Sequence, residues 1–596
     1  MTTPNDQIIA WLADLEGALS RQDWEGASAL FPEDSYWRDL TAFTWNIKTM
    51  EGQDAIRTML EARGAETAAG SWSLEGDATA SADGVIEGWV AFETAVGRGK
   101  GHVRLRDGKA WTLLTALREL KGFEEARDAD RPFGVEHGAI PNRVTWLAAR
   151  QREQAELGYS TQPFVLVVGG GQGGIGLGAR LRQLNVPTII IERHPRAGDS
   201  WRNRYDSLTL HDPVWADHMP YIPFPVHWPV YTAKDKMGDW LESYVSLMEL
   251  NYWTSTTCQR ASYDEAAGTW TVEVERDGMP LTLHPTHLVL ATGMSGMPNM
   301  PEIPGADVFE GDLYHSSRYR SGEAYRGKHS VVLGSNNSAH DVAQDLWEFG
   351  AASVTMIQRS STTVVRRGRI RGGVGNYSEG AVAAGLTTDR ADLLAAAMPQ
   401  RLAPAVQAAV TRKMRADDAE YYARIEAAGF LLDFGEDDTG VALKYQRRGS
   451  GYYIDVGASE LVVNGGIKLR TRVGIERLTP GSVVLTDGEE LPADLVVCAT
   501  GYGSMNGWAA QLISQEVADR VGKVWGIGSD TAYDPGPWEG EQRNMWKPTQ
   551  QPGLWFHGGN LAQSRHYSLY LALQLKARLE GISTSVYELQ PSYHLS

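Results

Sequence analysis

Cysteine is almost absent: two occur in 596 residues, Cys258 and Cys498, far apart and each among apolar neighbours. Two isolated thiols build neither a disulfide framework nor a cysteine metal site, and they point to a reducing compartment. Basic charge is also short, with 56 Lys and Arg against 74 Asp and Glu and a formal net charge of −18. A binder of nucleic acid or of an anionic membrane carries the opposite balance, which argues against both partners. No apolar run reaches the ~18 residues of a transmembrane helix. The start, Met1-Thr2-Thr3-Pro4-Asn5-Asp6, lacks the basic-then-apolar order of a signal peptide. The expectation is a soluble, cytoplasmic protein, with a homodimer compatible and the oligomeric state open.

Glycine is plentiful, with 64 residues against a usual share of ~7%. It gathers in short clusters, which marks turns where the backbone must approach something closely. The length predicts three or more compact units. Five segments are expected: an α+β unit over 1–125, a linker over 126–162, a first dinucleotide-binding part over 163–320, a second dinucleotide-binding unit over 321–475, and a return to the first over 476–596.

In the first unit, Ile8, Leu12, Leu15 and Leu19 recur at helical spacing, and a second helix is expected near Asp54–Ala62. Strand-like runs follow at Gly84–Thr94, Gly101–Arg106 and Ala110–Arg118, predicting helices against an antiparallel sheet. Tyr36-Trp37-Arg38-Asp39 is the one dense polar-aromatic group, read as a buried ion pair pinning sheet to helix. With Phe43, Thr44 and Trp45 it resembles the early segment of the SnoaL-like family, which implies a small α+β cone. Beyond Phe164, apolar runs at Phe164–Val168, Thr188–Ile191, Leu288–Ala291, Ser330–Leu333, Ser353–Ile357 and Leu495–Ala499 alternate with helical stretches. That alternation predicts parallel sheets covered on both faces.

A strand, a glycine turn and a helix occur together twice, about 165 residues apart. The first is Val165–Val168 followed by Gly169-Gly170-Gly171-Gln172-Gly173-Gly174, a G-x-G-x-x-G. Gly169 permits the tight turn, Gly171 lets backbone N–H groups reach a pyrophosphate, and Gly174 lets helix pack on strand. Glu192 ends the next strand about twenty residues on, the usual place for an acid that binds a ribose. The second is Gly334-Ser335-Asn336-Asn337-Ser338-Ala339, with Asn336 at the middle glycine's position; Asn tolerates unusual backbone angles. Gly334, Asn336, Ser338 and Ala339 are its candidate dinucleotide contacts. Arg359 stands where an acid would mark NAD, and its fork suits a 2′-phosphate, so NADPH is expected with NADH as a second donor.

Between the loops, Phe309-Glu310-Gly311 through His315 to Tyr319 reads F-x-G-x-x-x-H-x-x-x-Y, which resembles the fingerprint of the flavin-containing monooxygenases. Ala291-Thr292-Gly293 and Ala499-Thr500-Gly501-Tyr502 are similar to that family's two chain crossings. Gly198-Asp199-Ser200-Trp201-Arg202, Leu210-His211-Asp212-Pro213 and Pro223-Phe224-Pro225 resemble its flavin-lining stretches. The resemblance, with the added cone, is to the branch called type II, whose members combine heteroatom oxygenation with Baeyer–Villiger activity. Leu210-His211 is similar to the plant auxin-forming members. Dedicated Baeyer–Villiger enzymes generally have Trp where this chain has Tyr319.

The resemblance implies two Rossmann-like domains, for FAD and NAD(P), and one oxygen atom moved from the co-substrate O2 through a 4a-hydroperoxyflavin into a small molecule. Small ketones, sulfides and amines are the implied substrates; oxidative decarboxylation of a keto acid, an NADPH oxidase and a redox-sensing flavoprotein are the alternatives. It implies catalytic roles for His211 and His315. It also implies flavin or nicotinamide contacts from Trp201, Arg202, His211, Thr292, Gly293, Thr500, Gly501 and Asn560, the last at the start of a closing helix. For both histidines a buried, backbone-satisfied residue is the competing reading, and Arg366, Arg367, Arg369 and Arg371 read either as a phosphate frame or as a solvated loop. A flavin disulfide reductase shares the paired loops, but no Cys-x-x-Cys pair exists for its thiol chemistry.

Overall fold

The computed structural model describes residues 3–134, 137–369 and 375–594. The chain opens with α1 (Pro4–Ser20), started by a capping box in which Thr3 and Asp6 satisfy each other's backbone N–H groups. Its buried face carries Ile8, Trp11, Leu12, Leu15, Ala18 and Leu19. With α2 (Gln53–Thr67) it covers a six-stranded sheet built from β1 (Tyr36–Leu40), β2 (Ile47–Glu51), β3 (Gly70–Ala80), β4 (Ile86–Glu93), β5 (Gly97–Arg106) and β6 (Lys109–Leu120). The order is β2-β1-β6-β5-β4-β3. The sheet is mixed where an antiparallel one was expected, because β1 runs parallel to β6. Three of its strands lacked a legible signal. β1 and β2 are short and carry charged residues, and β3 is mostly exposed, so none shows the regular alternation that β4 does.

The expected ion pair within Tyr36–Asp39 does not form. Neighbouring residues on a strand point to opposite faces, so Arg38 and Asp39 diverge. Asp39 turns inward and accepts hydrogen bonds from the Phe43 and Thr44 backbone N–H groups and from the Thr44 and Thr115 hydroxyls, at 2.6–3.0 Å. Arg38 turns outward and donates through Nε and Nη2 to Glu541 at 2.7 and 2.6 Å, and through Nη1 to the Ala396 carbonyl at 2.7 Å. Trp37, Phe31, Phe43, Phe92 and Trp72 pack ring against ring inside the unit.

Two parallel five-stranded sheets follow. The first uses β7 (Val165–Val168), β8 (Thr188–Ile191), β9 (Tyr252–Trp253), β10 (His287–Leu290) and, far downstream, β16 (Leu554–Phe556), in the order β16-β10-β7-β8-β9. The second uses β11 (Asp312–His315), β12 (His329–Leu333), β13 (Ser353–Gln358), β14 (Lys468–Thr471) and β15 (Leu495–Cys498), in the order β11-β15-β12-β13-β14. Every residue of β7, β8 and β10 is buried, the pattern of strands covered on both faces. Helix α3 (Gln172–Gln183) follows β7, α4 (Asn337–Glu348) follows β12, and α6 (Leu561–Leu579) follows β16.

The chain leaves the first sheet after β10 and returns through residues 499–503. The two crossings lie side by side, with Gly296 N–H to Gly503 O at 2.8 Å, Asn299 N–H to Gly501 O at 2.9 Å and Gly503 N–H to Met297 O at 2.9 Å. A helical insertion between residues 366 and 452 carries α5 (Thr388–Ala396). Asp392 of α5 binds Arg565 of α6 at 2.9 and 2.7 Å, and Arg565 also donates to the Ala216 and His218 carbonyls. Among the described residues no helix is long and apolar enough to cross a membrane.

Candidate functional site

The three glycines of the first loop are there for different reasons. Gly169 has φ +109, and a Cβ would run into the Ala291 carbonyl; a Cβ on Gly174 would run into the Gly169 carbonyl. Gly171 is different. Its φ of −75 suits any residue, and a Cβ there would meet nothing nearer than the Ser200 hydroxyl at 3.6 Å. No protein atom requires glycine at 171; the space beside it is open at the N-terminus of α3, where N–H groups and the helix dipole favour an anion.

Buried polar atoms without partners ring that space. The Ser200 and Thr292 hydroxyls have none, while the His557 ring is held by a hydrogen bond with the Gly173 backbone. An unsatisfied buried polar group costs about 1–3 kcal/mol, so their convergence on one loop marks a place for a polar ligand. The residues fit a dinucleotide pyrophosphate. Glu192, buried at the end of β8, accepts the Gly170 N–H at 2.9 Å and the His194 N–H at 3.0 Å, which leaves acceptor capacity on the carboxylate. Trp201 donates to Gln172 at 3.2 Å beside the loop. Arg202 is spent on Asp199, Asp239 and Glu242 and on the Ala197 carbonyl, so it braces this wall. Gly293 has φ +99 in the outgoing crossing.

In the second loop Gly334 has φ +129 and abuts the Ala499 carbonyl. Asn336 does not use the backbone freedom expected of it. Its φ −94 and ψ −171 nearly repeat the φ −75 and ψ −171 of Gly171. The middle position of such a loop is extended, so its glycine supplies room rather than a rare torsion. Asn336 meets that need by turning its side chain toward the Thr362 hydroxyl at 3.4 Å. Ala339 is fully buried and Ser338 half-buried in the first turn of α4. Arg359 follows β13 with its side chain exposed. Arg366 and Arg369 pair with Asp418, and Arg367 lies over the Tyr231 ring at 4.0 Å. Arg371 lies outside the described residues.

His315 joins the second sheet to the return crossing. Its Nδ1 accepts the Ser317 N–H at 3.1 Å, so Nε2 carries the proton and donates to the Gly501 carbonyl at 3.0 Å. Burial holds this imidazole below its usual range. The Thr500 hydroxyl donates to the Asn299 carbonyl. His211, half-buried, lies in a different place, facing Asp341 of α4. Burial pushes the Asp341 carboxyl up, while His211 and the Tyr205 hydroxyl bonded to it pull it back. Asn560 caps α6, its side chain accepting the Gln563 N–H at 2.9 Å and its own N–H donating to the Tyr445 hydroxyl at 3.1 Å. Sequence reasoning missed Ser200, His557, Asp341 and Tyr445 as individuals. Ser200 stood inside a quoted motif, but what singles it out is a buried hydroxyl without a partner.

The family model described as pyridine nucleotide-disulphide oxidoreductase matches residues 166–435. The probable indole-3-pyruvate monooxygenase YUCCA7 of Arabidopsis thaliana is 32% identical over 345 residues, covering 57% of this chain and 74% of the relative. The indole-3-pyruvate monooxygenase YUCCA1 of Oryza sativa subsp. japonica is 30% identical over 366 residues, 60% of this chain and 82% of the relative. Among solved structures, cyclohexanone monooxygenase from Rhodococcus sp. Phi1 bound to NADP+ superposes with a TM-score of 0.50 at 17% identity, covering 70% of this chain and 84% of that one. That likeness is one of fold.

Proposed function

The chain belongs to the flavin monooxygenase family that includes the plant indole-3-pyruvate monooxygenases, and from that premise we propose an FAD- and NAD(P)H-dependent monooxygenase that places one oxygen atom of O2 in a small carbonyl compound. The observation that carries the flavin part is Gly171 with the unpartnered polar atoms around it. The substrate class rests on the 2-oxo acid in the names of the relatives.

When bound, FAD supplies the reaction of reduced flavin with O2 and the oxygen transfer. The α3 N-terminus, Ser200 and Thr292 bind its phosphates, and Glu192 takes a ribose. Gly334, Asn336 and the first turn of α4 receive the nicotinamide dinucleotide, with Arg359 for a 2′-phosphate. His315 and the paired crossings hold the two sheets at one spacing, and His211 orients between the flavin-lining loop and Asp341. A disulfide reductase is disfavoured by its thiols. The only cysteines are buried and free, and burial pushes Cys258 up to about 12 and Cys498 up to about 11. The N-terminal unit has its interior filled by aromatic side chains, which supports docking rather than chemistry of its own.

The test is turnover under labelled dioxygen with NADPH and a panel of ketones, 2-oxo acids and sulfides. Label in one ketone or 2-oxo acid product supports the reading; label in sulfides alone moves it to heteroatom oxidation, and peroxide without labelled product makes the chain an oxidase.

A further inference from the structure

Two arginines stand side by side at the carboxyl edge of the second sheet. Strands β12, β13 and β14 are neighbours there, in the order of a nucleotide-binding half. In such a sheet a dinucleotide is bound outside the carboxyl ends of the strands. Arg359 directly follows β13 and Arg472 directly follows β14, both with exposed side chains. The register makes them neighbours: Gln358 faces Thr471 across the parallel pair, and the Arg472 N–H donates to the Gln358 carbonyl at 2.9 Å. Paired strands are ~4.8 Å apart, close enough for two arginine side chains to converge on one group. Gln358 is fully buried and holds this edge still. Its side chain donates to the Leu431 carbonyl at 2.9 Å and accepts the Leu431 N–H at 2.8 Å.

Among the described residues neither guanidinium pairs with a carboxylate, whereas Arg470, on the same strand, holds Glu489 through two hydrogen bonds. The chain has acids to spare, 74 against 56 basic residues, so two unpaired neighbouring cations are not the result of a shortage. Arg472 also takes φ +61, where residues other than glycine are uncommon. Like charges held together repel, and an anion between them offsets that cost. The adenosine 2′-phosphate of NADPH is such an anion. It carries about two negative charges near pH 7 and three acceptor oxygens, and one arginine fork covers two oxygens at most. Arg359 alone therefore leaves an oxygen and about one charge unmet. We propose that Arg472 is a specificity-determining residue that closes, with Arg359, a two-arginine clamp on the 2′-phosphate of NADPH. NADH has a hydroxyl at that position and offers no anion there, so the second cation serves the choice between coenzymes rather than the binding of what they share.

The inference rests on the nicotinamide reading of the second loop, and the experiment separates the two. The full chain with its flavin bound is titrated calorimetrically with NADP+, NAD+, 2′,5′-ADP and 5′-AMP, for the natural protein, Arg472→Gly and Arg472→Lys. Glycine accepts φ +61 without strain, so that variant reports the loss of the guanidinium alone. The expected result for Arg472→Gly is about tenfold weaker NADP+ and 2′,5′-ADP, the lower end for a charge-assisted hydrogen bond, with NAD+ and 5′-AMP unchanged. Arg472→Lys keeps the charge without the fork and should fall between the two. Unchanged NADP+ affinity in Arg472→Gly, or equal losses of NADP+ and NAD+, overturns the inference while the nicotinamide reading stands. A natural protein that binds neither NADP+ nor NAD+ overturns the reading itself. If Arg472→Gly does not fold, Arg472→Asn, which also tolerates this torsion, is measured by the same criteria.

Discussion

His315 donates to the carbonyl oxygen of Gly501 at 3.0 Å, an oxygen that also takes the Asn299 N–H at 2.9 Å. One acceptor thus gathers the fingerprint histidine, the outgoing crossing and the return crossing. Both residues lie where the chain passes between the sheets, so this contact bears on how the two dinucleotide sites are held relative to each other. Removing the donor while keeping the bulk, as in His315→Phe, is expected to leave flavin content normal and to divert reducing equivalents to hydrogen peroxide. His315→Gln, with a donor at similar reach, should recover most of the coupling. Peroxide yield per NADPH consumed is the measurement, and unchanged coupling in His315→Phe would make the contact a passive one.

Gly171→Val should abolish flavin binding in a protein that still folds. Its backbone torsions accept valine, and a Cβ there meets no protein atom closer than 3.6 Å. Gly174→Val, by contrast, strikes the Gly169 carbonyl and should lower the unfolding midpoint as well. Absorbance of bound flavin and thermal unfolding on both variants separate the two effects. A yellow Gly171→Val protein would remove the pyrophosphate from this loop.

Arg359→Ala should weaken NADPH by about 1.5–3 kcal/mol if the guanidinium holds the 2′-phosphate, roughly 10- to 150-fold in affinity. NADH should be almost unaffected, because it lacks that phosphate. Equal losses with both coenzymes would place discrimination elsewhere on the second loop.

Where local pattern decides structure, the sequence was readable. β7 and β8 are unbroken apolar runs, and the glycines, α3 and Glu192 follow at fixed offsets, so strand, turn, helix and acid could be placed. Three things escaped because they depend on what folding brings together. Arg38 finds Glu541 from 503 residues away, while its neighbour Asp39 faces the other side of the sheet. The torsions of Asn336 show that its loop position needs space, a distinction the letter pattern G-x-N cannot make. The unpartnered state of the Ser200 hydroxyl is a property of burial, invisible in the motif that contains it.

Acid should destabilise this protein well before its carboxylates protonate. Burial pushes His102 and His287 down to about 3 and His218, His340 and His566 down to about 4. In the unfolded chain these imidazoles take up protons near pH ~6.5, and the folded protein does not until far lower. The unfolded state therefore binds more protons over that interval, and stability rises with pH across it. The stabilisation is complete above about pH 6.5 and is lost progressively as pH falls toward about 4. Thermal midpoints should be flat between about pH 8 and 7 and fall steeply below about 6; a flat profile down to about pH 5 would mean these rings are hydrated.

The N-terminal sheet is fastened to the rest of the chain by a buried charge pair, and breaking one side of it should cost far more than removing both. Arg38 and Glu541 are 3% and 2% exposed, joined by two short hydrogen bonds, with Thr49 donating to Glu541 at 2.7 Å and Tyr567 accepting from Arg38 at 3.0 Å. Leu40, Ile47, Leu114 and Ala116 of the sheet share an apolar cluster with Trp546 and Tyr570, so the pair sits in a dry seam. Glu541→Leu strands an uncompensated guanidinium there, at about 3–5 kcal/mol. Arg38→Met with Glu541→Leu removes both charges and should recover much of that loss, since well-packed apolar replacements of buried pairs are often neutral. If the sheet guards access to the flavin, the single variant should also be cleaved between residues 126 and 145 and release peroxide in place of product, with the double variant near normal in both. Urea midpoints, limited proteolysis and coupling on the two proteins form the test. A single variant as stable and as tightly coupled as the natural protein would show that the apolar seam alone holds the sheet in place.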